Sequence, residues 1–209
     1  YGNFMGYHDR SNRDDDMQQP LAWLTNKFNR SPGELLWVES DKWGPLSGAL
    51  LDISYGMGQV FVVPHEKLKG QVQGGECALP IPLMPTGTMR GRFHPQDGQL
   101  YVAGLFAWAG NRNKEPGGFY RVRWTGKPVY MPRKLEAKAA GVSIRFSDPI
   151  LADSASPSRF TVKAWDLKRG GNYGSKHYNE RELRVTEAQL SADGQTVTLG
   201  IADFAATWC

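Results

Sequence analysis

Met89-Arg90-Gly91-Arg92-Phe93-His94-Pro95-Gln96-Asp97-Gly98-Gln99-Leu100-Tyr101-Val102 reads as two short strands joined at a turn. Asp97-Gly98 is the kind of pair that a tight hairpin selects, because its central residues need positive φ. The flanking Phe, Leu, Tyr and Val suit a pleated, half-buried surface. Working outward, similar runs occur at 35–39, 49–54, 59–64, 75–79, 89–94, 99–103 and 119–124, set apart by Gly, Pro, Asn and Asp. A strand every ten residues or so predicts an antiparallel meander, and that spacing suits a sandwich, a barrel or propeller blades alike.

The pattern breaks at Thr125-Gly126-Lys127-Pro128 and Met131-Pro132-Arg133, which read as a stiff linker with a domain boundary near Pro132. Beyond it, 141–146 alternates, with Val142, Ile144 and Phe146 on one face, and 160–167 alternates again, so that Val162 and Ala164 are expected opposite them. Runs at 183–190 and 196–201 follow, joined by Ser191-Ala192-Asp193-Gly194-Gln195, a hairpin signal. These strands predict a small sandwich over 132–209 that lacks a closing strand after Trp208. The abrupt start at Tyr1 and the stop at Cys209 point to a piece of a longer protein.

Composition narrows the function classes. The chain has 209 residues, of which 40% are hydrophobic and 22% charged, with 24 Gly and 13 Pro, so disorder and collagen are excluded. No apolar stretch approaches the ~20 residues of a membrane helix. The net charge is +4, but Lys and Arg are scattered, in runs of two at most, and a nucleic-acid function is not indicated. Cys77 and Cys209 form no metal or haem motif, and a disulfide between them stays open beside two separate thiols. Asp14-Asp15-Asp16 lacks the alternation and the Gly of a calcium loop and reads as solvated, and no metal site is expected. The basic, aromatic stretch 168–178 reads as a solvated hairpin loop, with contact to an acidic polysaccharide as the alternative.

Several motifs stand in a telling order: Tyr1-Gly2, Pro20-Leu21-Ala22-Trp23, Ser31-Pro32-Gly33-Glu34-Leu35, Trp43-Gly44-Pro45-Leu46, the opening stretch 89–102, and Gly117-Gly118-Phe119-Tyr120-Arg121-Val122. Together they resemble the soluble quinone-dependent glucose and sorbosone dehydrogenases. The residues at 43–47 and 89–93 and Asn172-Tyr173-Gly174-Ser175 are also similar to large secreted proteins of the planctomycete type. In that group such a propeller carries a bacterial Ig-like domain and often a c-type cytochrome domain. The resemblance implies an all-β chain: the last blades of a six-bladed β-propeller at 1–131, then an Ig-like β-sandwich at 132–209. It further implies a periplasmic or extracellular protein in which pyrroloquinoline quinone (PQQ) takes a hydride from a sugar and passes electrons to haem c in a partner or in another domain. The competing expectation is a cofactor-free propeller and Ig-like module for polysaccharide binding, adhesion or assembly of a larger complex.

In that family an Arg-x-Arg motif of the last blade holds the quinone carboxylates, since guanidinium offers a planar two-pronged donor. Arg90 falls on the second arginine of the motif and Thr88 on the first, while Arg92 lies two residues on, on the same strand face. Arg90 and Arg92 are therefore the expected cofactor ligands. Trp108, Asn111 and Arg112 form the other candidate, a sugar platform in which an indole face meets apolar ring faces and polar groups meet hydroxyls. None of His8, His65, His94 or His177 matches the family's catalytic base, and no catalytic residue is assigned. His94 reads as a turn histidine, and the remaining tryptophans as core residues of strands.

Overall fold

β1 (Pro32–Trp37), β2 (Leu50–Ser54) and β3 (Gln59–Val62) form an antiparallel sheet in the computed structural model, which describes residues 20–107, 112–166 and 176–205. β4 (His65–Leu68) and β5 (Gln71–Gly74) make a separate hairpin, and β6 (Cys77–Ala78) returns to complete the first sheet in the order β1-β2-β3-β6. β7 (Gly87–Phe93), β8 (Leu100–Leu105) and β9 (Gly117–Val122) make a second sheet in sequence order.

β2 and β3 are buried at every position, because both faces of their sheet are covered. On one face Leu51, Ile53 and Val62 join Leu100, Val102 and Val122 of the second sheet in a single apolar core. Each such side chain, fully buried, contributes about 1.5–3 kcal/mol. On the other face lies the segment 25–30, whose Phe28 ring sits 5.6 Å from that of Phe61. The two sheets meet closely along β1 and β7 because glycines stand there. A Cβ on Gly33 would lie 2.8 Å from the Thr88 carbonyl oxygen, and one on Gly91 would lie 2.5 Å from Ile53 Cδ1.

After residue 131 come β10 (Pro132–Lys138), β11 (Gly141–Phe146), β12 (Val162–Asp166), β13 (Tyr178–Leu183), β14 (Val185–Leu190) and β15 (Thr196–Ile201). They form a four-stranded sheet, β10-β11-β15-β14, and the pair β12-β13. Val197, Leu199 and Ile201 are buried between them, and Val142, Ile144, Phe146 and Val162 pack half-buried against that core. Asp148 pins the approach to β10 by accepting the N–H groups of Val129 and Tyr130, both at 3.0 Å. Arg133 ties β10 back to the first half through the carbonyls of Pro45 and Ser47, both at 2.6 Å.

Several sequence expectations need correction. β4–β5 was not anticipated, because its residues are largely polar and exposed and leave no apolar alternation. The turn at Asp97-Gly98 is part of a longer loop: the His94 N–H bonds the Gln99 carbonyl, and Asp97 Oδ1 accepts the Gln99 N–H at 2.9 Å. The run at 75–79 shortens to β6, and β10 starts at the linker's Pro132-Arg133 and runs on through 134–138, where no strand was expected because Lys134, Glu136 and Lys138 mask the alternation. The single strand expected at 183–190 is broken at Arg184, whose carbonyl takes the Ala202 N–H at 2.9 Å, and the chain changes sheets there. Trp43 is buried in a 3-10 turn at Asp41–Leu46, while Trp37 is 49% exposed in β1. Among the described residues the sheets close into neither a barrel nor a propeller, and no helix is long and apolar enough to cross a membrane.

Candidate functional site

The outward face of the second sheet carries the residues that sequence singled out. Register places Arg92, Tyr101 and Arg121 in one row across β7, β8 and β9, and Arg90, Ala103 and Phe119 in the next. An open cavity of about 540 Å³ lies over this face, lined by Arg90, Arg92, His94, Tyr101, Ala103 and Phe119. Phe119 is 71% exposed and stacks on Tyr101, with centroids 5.6 Å apart and planes 23° apart. His94 meets the Tyr101 ring at an edge, 5.7 Å between centroids. The Tyr101 hydroxyl donates to Asp97 Oδ2 at 2.8 Å. The Gln99 N–H, helped by that hydroxyl and by the nearby His94 and Arg121, holds the Asp97 carboxyl below its ordinary pKa.

Arg90 and Arg92 line this cavity, but their donors turn to the seam with β1. Arg90 Nη1 bonds the carbonyls of Gly33 and Met89, both at 2.7 Å. Arg92 Nη1 bonds both oxygens of Glu34, at 2.7 and 2.8 Å. Glu34 also accepts the Gly91 N–H at 2.8 Å, and the buried Thr88 hydroxyl donates to the Ser54 carbonyl at 2.9 Å. Burial pushes the Glu34 carboxyl up, but the Gly91 N–H and the Arg92 guanidinium, with Arg90 beyond, outweigh it and leave the pKa lowered.

A quinone carboxylate needs arginines with an open pair of parallel donors. Here each arginine turns Nη1 to the protein, Arg92 to the Glu34 carboxylate and Arg90 to two carbonyls. These Nη1 contacts stitch the two sheets together.

The sugar-platform expectation divides. Trp108 and Asn111 lie outside the described residues. Arg112 is exposed, and its main-chain N–H donates to the Gly56 carbonyl at 3.1 Å, which sets it by the β2–β3 turn. His65 Nδ1 lies 2.8 Å from the Val63 carbonyl oxygen, and His177 pairs with Glu180 and stacks on Trp165. His94 stands in the loop after β7, as a turn residue. The sequence reading missed Tyr101, Phe119 and Glu34. The alternation of Phe119 and Arg121 behind Gly117-Gly118 was the available signal, since it puts an aromatic and a cation on one strand face.

No family model, no curated protein and no solved structure matches the chain.

Proposed function

We propose that this chain is an assembly module: the closing sheets of a β-propeller of the kind found in quinone-dependent sugar dehydrogenases, followed by an Ig-like sandwich. Its own role is to complete a larger secreted protein, and the hydride chemistry lies elsewhere. The observation that carries this reading is the aromatic face of the second sheet, where Phe119 stands 71% exposed over Tyr101 beside an open cavity. An uncovered apolar patch of this kind marks an interaction surface. Its shape suits a further β-sheet, in the way that the opposite face of the same sheet already packs on β2 and β3.

The sandwich supports the second half of the reading. The order β10-β11-β15-β14 is that of strands A-B-E-D of an immunoglobulin sheet, with β12 as strand C. The seam residues Thr88, Arg90, Arg92 and Glu34 support a structural role for the arginines over cofactor binding.

The test replaces Phe119 by Cys and follows maleimide labelling, resolved by mass spectrometry, in the isolated chain and in the protein as its organism makes it. Labelling is expected to be fast in the first and strongly protected in the second. Equal labelling would overturn the assembly reading. A parallel titration of the intact protein with PQQ, for wild type and Arg90→Lys, separates the roles of Arg90. A loss of quinone affinity in the variant would make it a cofactor ligand after all.

A further inference from the structure

The acids that border the outward face of β7, β8 and β9 are already taken. Glu34 holds Arg92 and the Gly91 N–H at the seam with β1. Asp97 accepts the Tyr101 hydroxyl and the Gln99 N–H, and His94 Nδ1 lies 3.5 Å from it. Arg90 and Arg121 are left over. Arg90 is exposed and its Nη1 donates to carbonyls alone, while Arg121 is exposed and makes no hydrogen bond or ion pair among the described residues.

Their placement is specific. Arg90 stands on β7 in the row of Ala103 and Phe119, and Arg121 stands on β9 in the row of Tyr101. The two cations thus flank the aromatic pair from opposite edges of the sheet and one row apart. Two strand spacings across and two residues along put their backbones about 12 Å apart. Between them the exposed Ala103 leaves a shallow floor beside Tyr101 and Phe119 in the open cavity.

A cover over this face takes both guanidinium groups out of water, which is unfavourable unless carboxylates meet them. A wholly apolar cover would gain from Phe119 and Tyr101 but strand two cations. A second copy of this chain would set the same arginines against each other, and like charges oppose docking. We propose that the sheet covering this face is acidic, presenting one carboxylate to Arg90 and one to Arg121 on either side of an apolar side chain seated on β8 between Tyr101 and Ala103. The inference rests on the assembly reading above and names the chemistry of that partner. A single extended strand meets the requirement. Its residues i, i+2 and i+4 share one face, and the outer two lie about 13 Å apart, close to the span between the arginines.

The experiment uses the isolated chain and the protein as its organism makes it. Arg121→Lys keeps the charge and offers an amine that a carbodiimide joins directly to a touching carboxylate. Peptide mass spectrometry should find position 121 joined to an Asp or Glu outside the 209 residues in the intact protein. In a second measurement, Arg121→Glu should speed maleimide labelling of Phe119→Cys in the intact protein by about tenfold or more, since a like charge then faces the cover. Either result supports the acidic partner. If Phe119→Cys is protected in the intact protein and neither result appears, the assembly reading stands and the acidic partner is overturned. A uronic acid joined to position 121 in place of a peptide would overturn it in favour of an acidic polysaccharide. Equal labelling of Phe119→Cys in the isolated chain and the intact protein would remove the assembly reading, and this inference with it.

Discussion

Arg92 and Glu34 meet at 2.7 Å across 58 positions of sequence, and the same Glu34 carboxylate takes the Gly91 N–H at 2.8 Å. One acidic side chain of β1 thereby holds both a side chain and the backbone of β7, where the two sheets touch without a shared ladder. The two contacts differ in worth. The Arg92 side chain is 75% exposed, so its ion pair is screened, whereas the N–H lies in the tight approach beside Ile53.

Glu34→Ala should therefore destabilise the protein by about 1–2 kcal/mol, the loss of an acceptor for a partly buried N–H. Arg92→Ala should cost less, within about 1 kcal/mol. Urea unfolding of both variants checks the order, and a larger effect for Arg92→Ala would reverse the assignment.

Gly91→Val tests the close approach itself. The new side chain would meet Ile53 Cδ1 and Leu100 Cδ1, at 2.5 and 3.0 Å from its Cβ. Overpacking of this kind costs about 1–3 kcal/mol or forces the sheets apart. Pairing the change with Ile53→Val should recover part of the loss, and an additive double variant would place the strain elsewhere.

Asp148 predicts a pH dependence. Burial raises its carboxyl, but the Ser147 hydroxyl and the Val129 and Tyr130 N–H groups outweigh burial and hold the pKa below its ordinary value. A carboxyl with a depressed folded pKa stabilises the fold above its unfolded pKa, about 3.9, and loses that contribution as pH falls through the folded value. Stability measured from pH 6 downward should thus fall more steeply below about pH 4 for wild type than for Asp148→Asn. Parallel curves would show that this group is not linked to folding.

Phe146→Ala should destabilise the second half of the chain by about 2 kcal/mol, below the 3–5 typical of a fully buried aromatic, because the ring packs on Val197 and its neighbours from a half-buried position. Thermal unfolding of the isolated variant gives the number directly, and a full-sized loss would mean that the ring is covered in solution.

The strands legible in the sequence were those with a strong apolar period. Val142, Ile144 and Phe146 alternate and form β11 at the residues expected, and Thr196–Ile201 does the same for β15. β4 and β5 were invisible because their residues are mostly polar and carry no apolar alternation, leaving Gly70, at φ 89°, to mark the turn. Arg90 and Arg92 were correctly read as sharing a strand face. Their partners Gly33 and Glu34 were not, because a contact between chain positions so far apart has no local signature. Asp52 carried a signal that went unused: one carboxylate inside Leu50-Leu51-Asp52-Ile53, a run otherwise apolar, must find a partner or a proton.

The pairing of a four-stranded sheet with the two strands β12 and β13 sets how the molecule breathes. Backbone amides of β2 and β3 lie under cover on both faces, and their exchange with heavy water should require global unfolding. β12 and β13 have one bonded neighbour each among the described residues, and β13 is exposed at four of its six positions. Lys163, Glu180, Arg181 and Glu182 crowd these strands with charge, a guard against unwanted pairing at their edges. Those amides should exchange by local opening long before the rest, which makes this corner the first point of entry for a protease and the last of the described strands to become rigid.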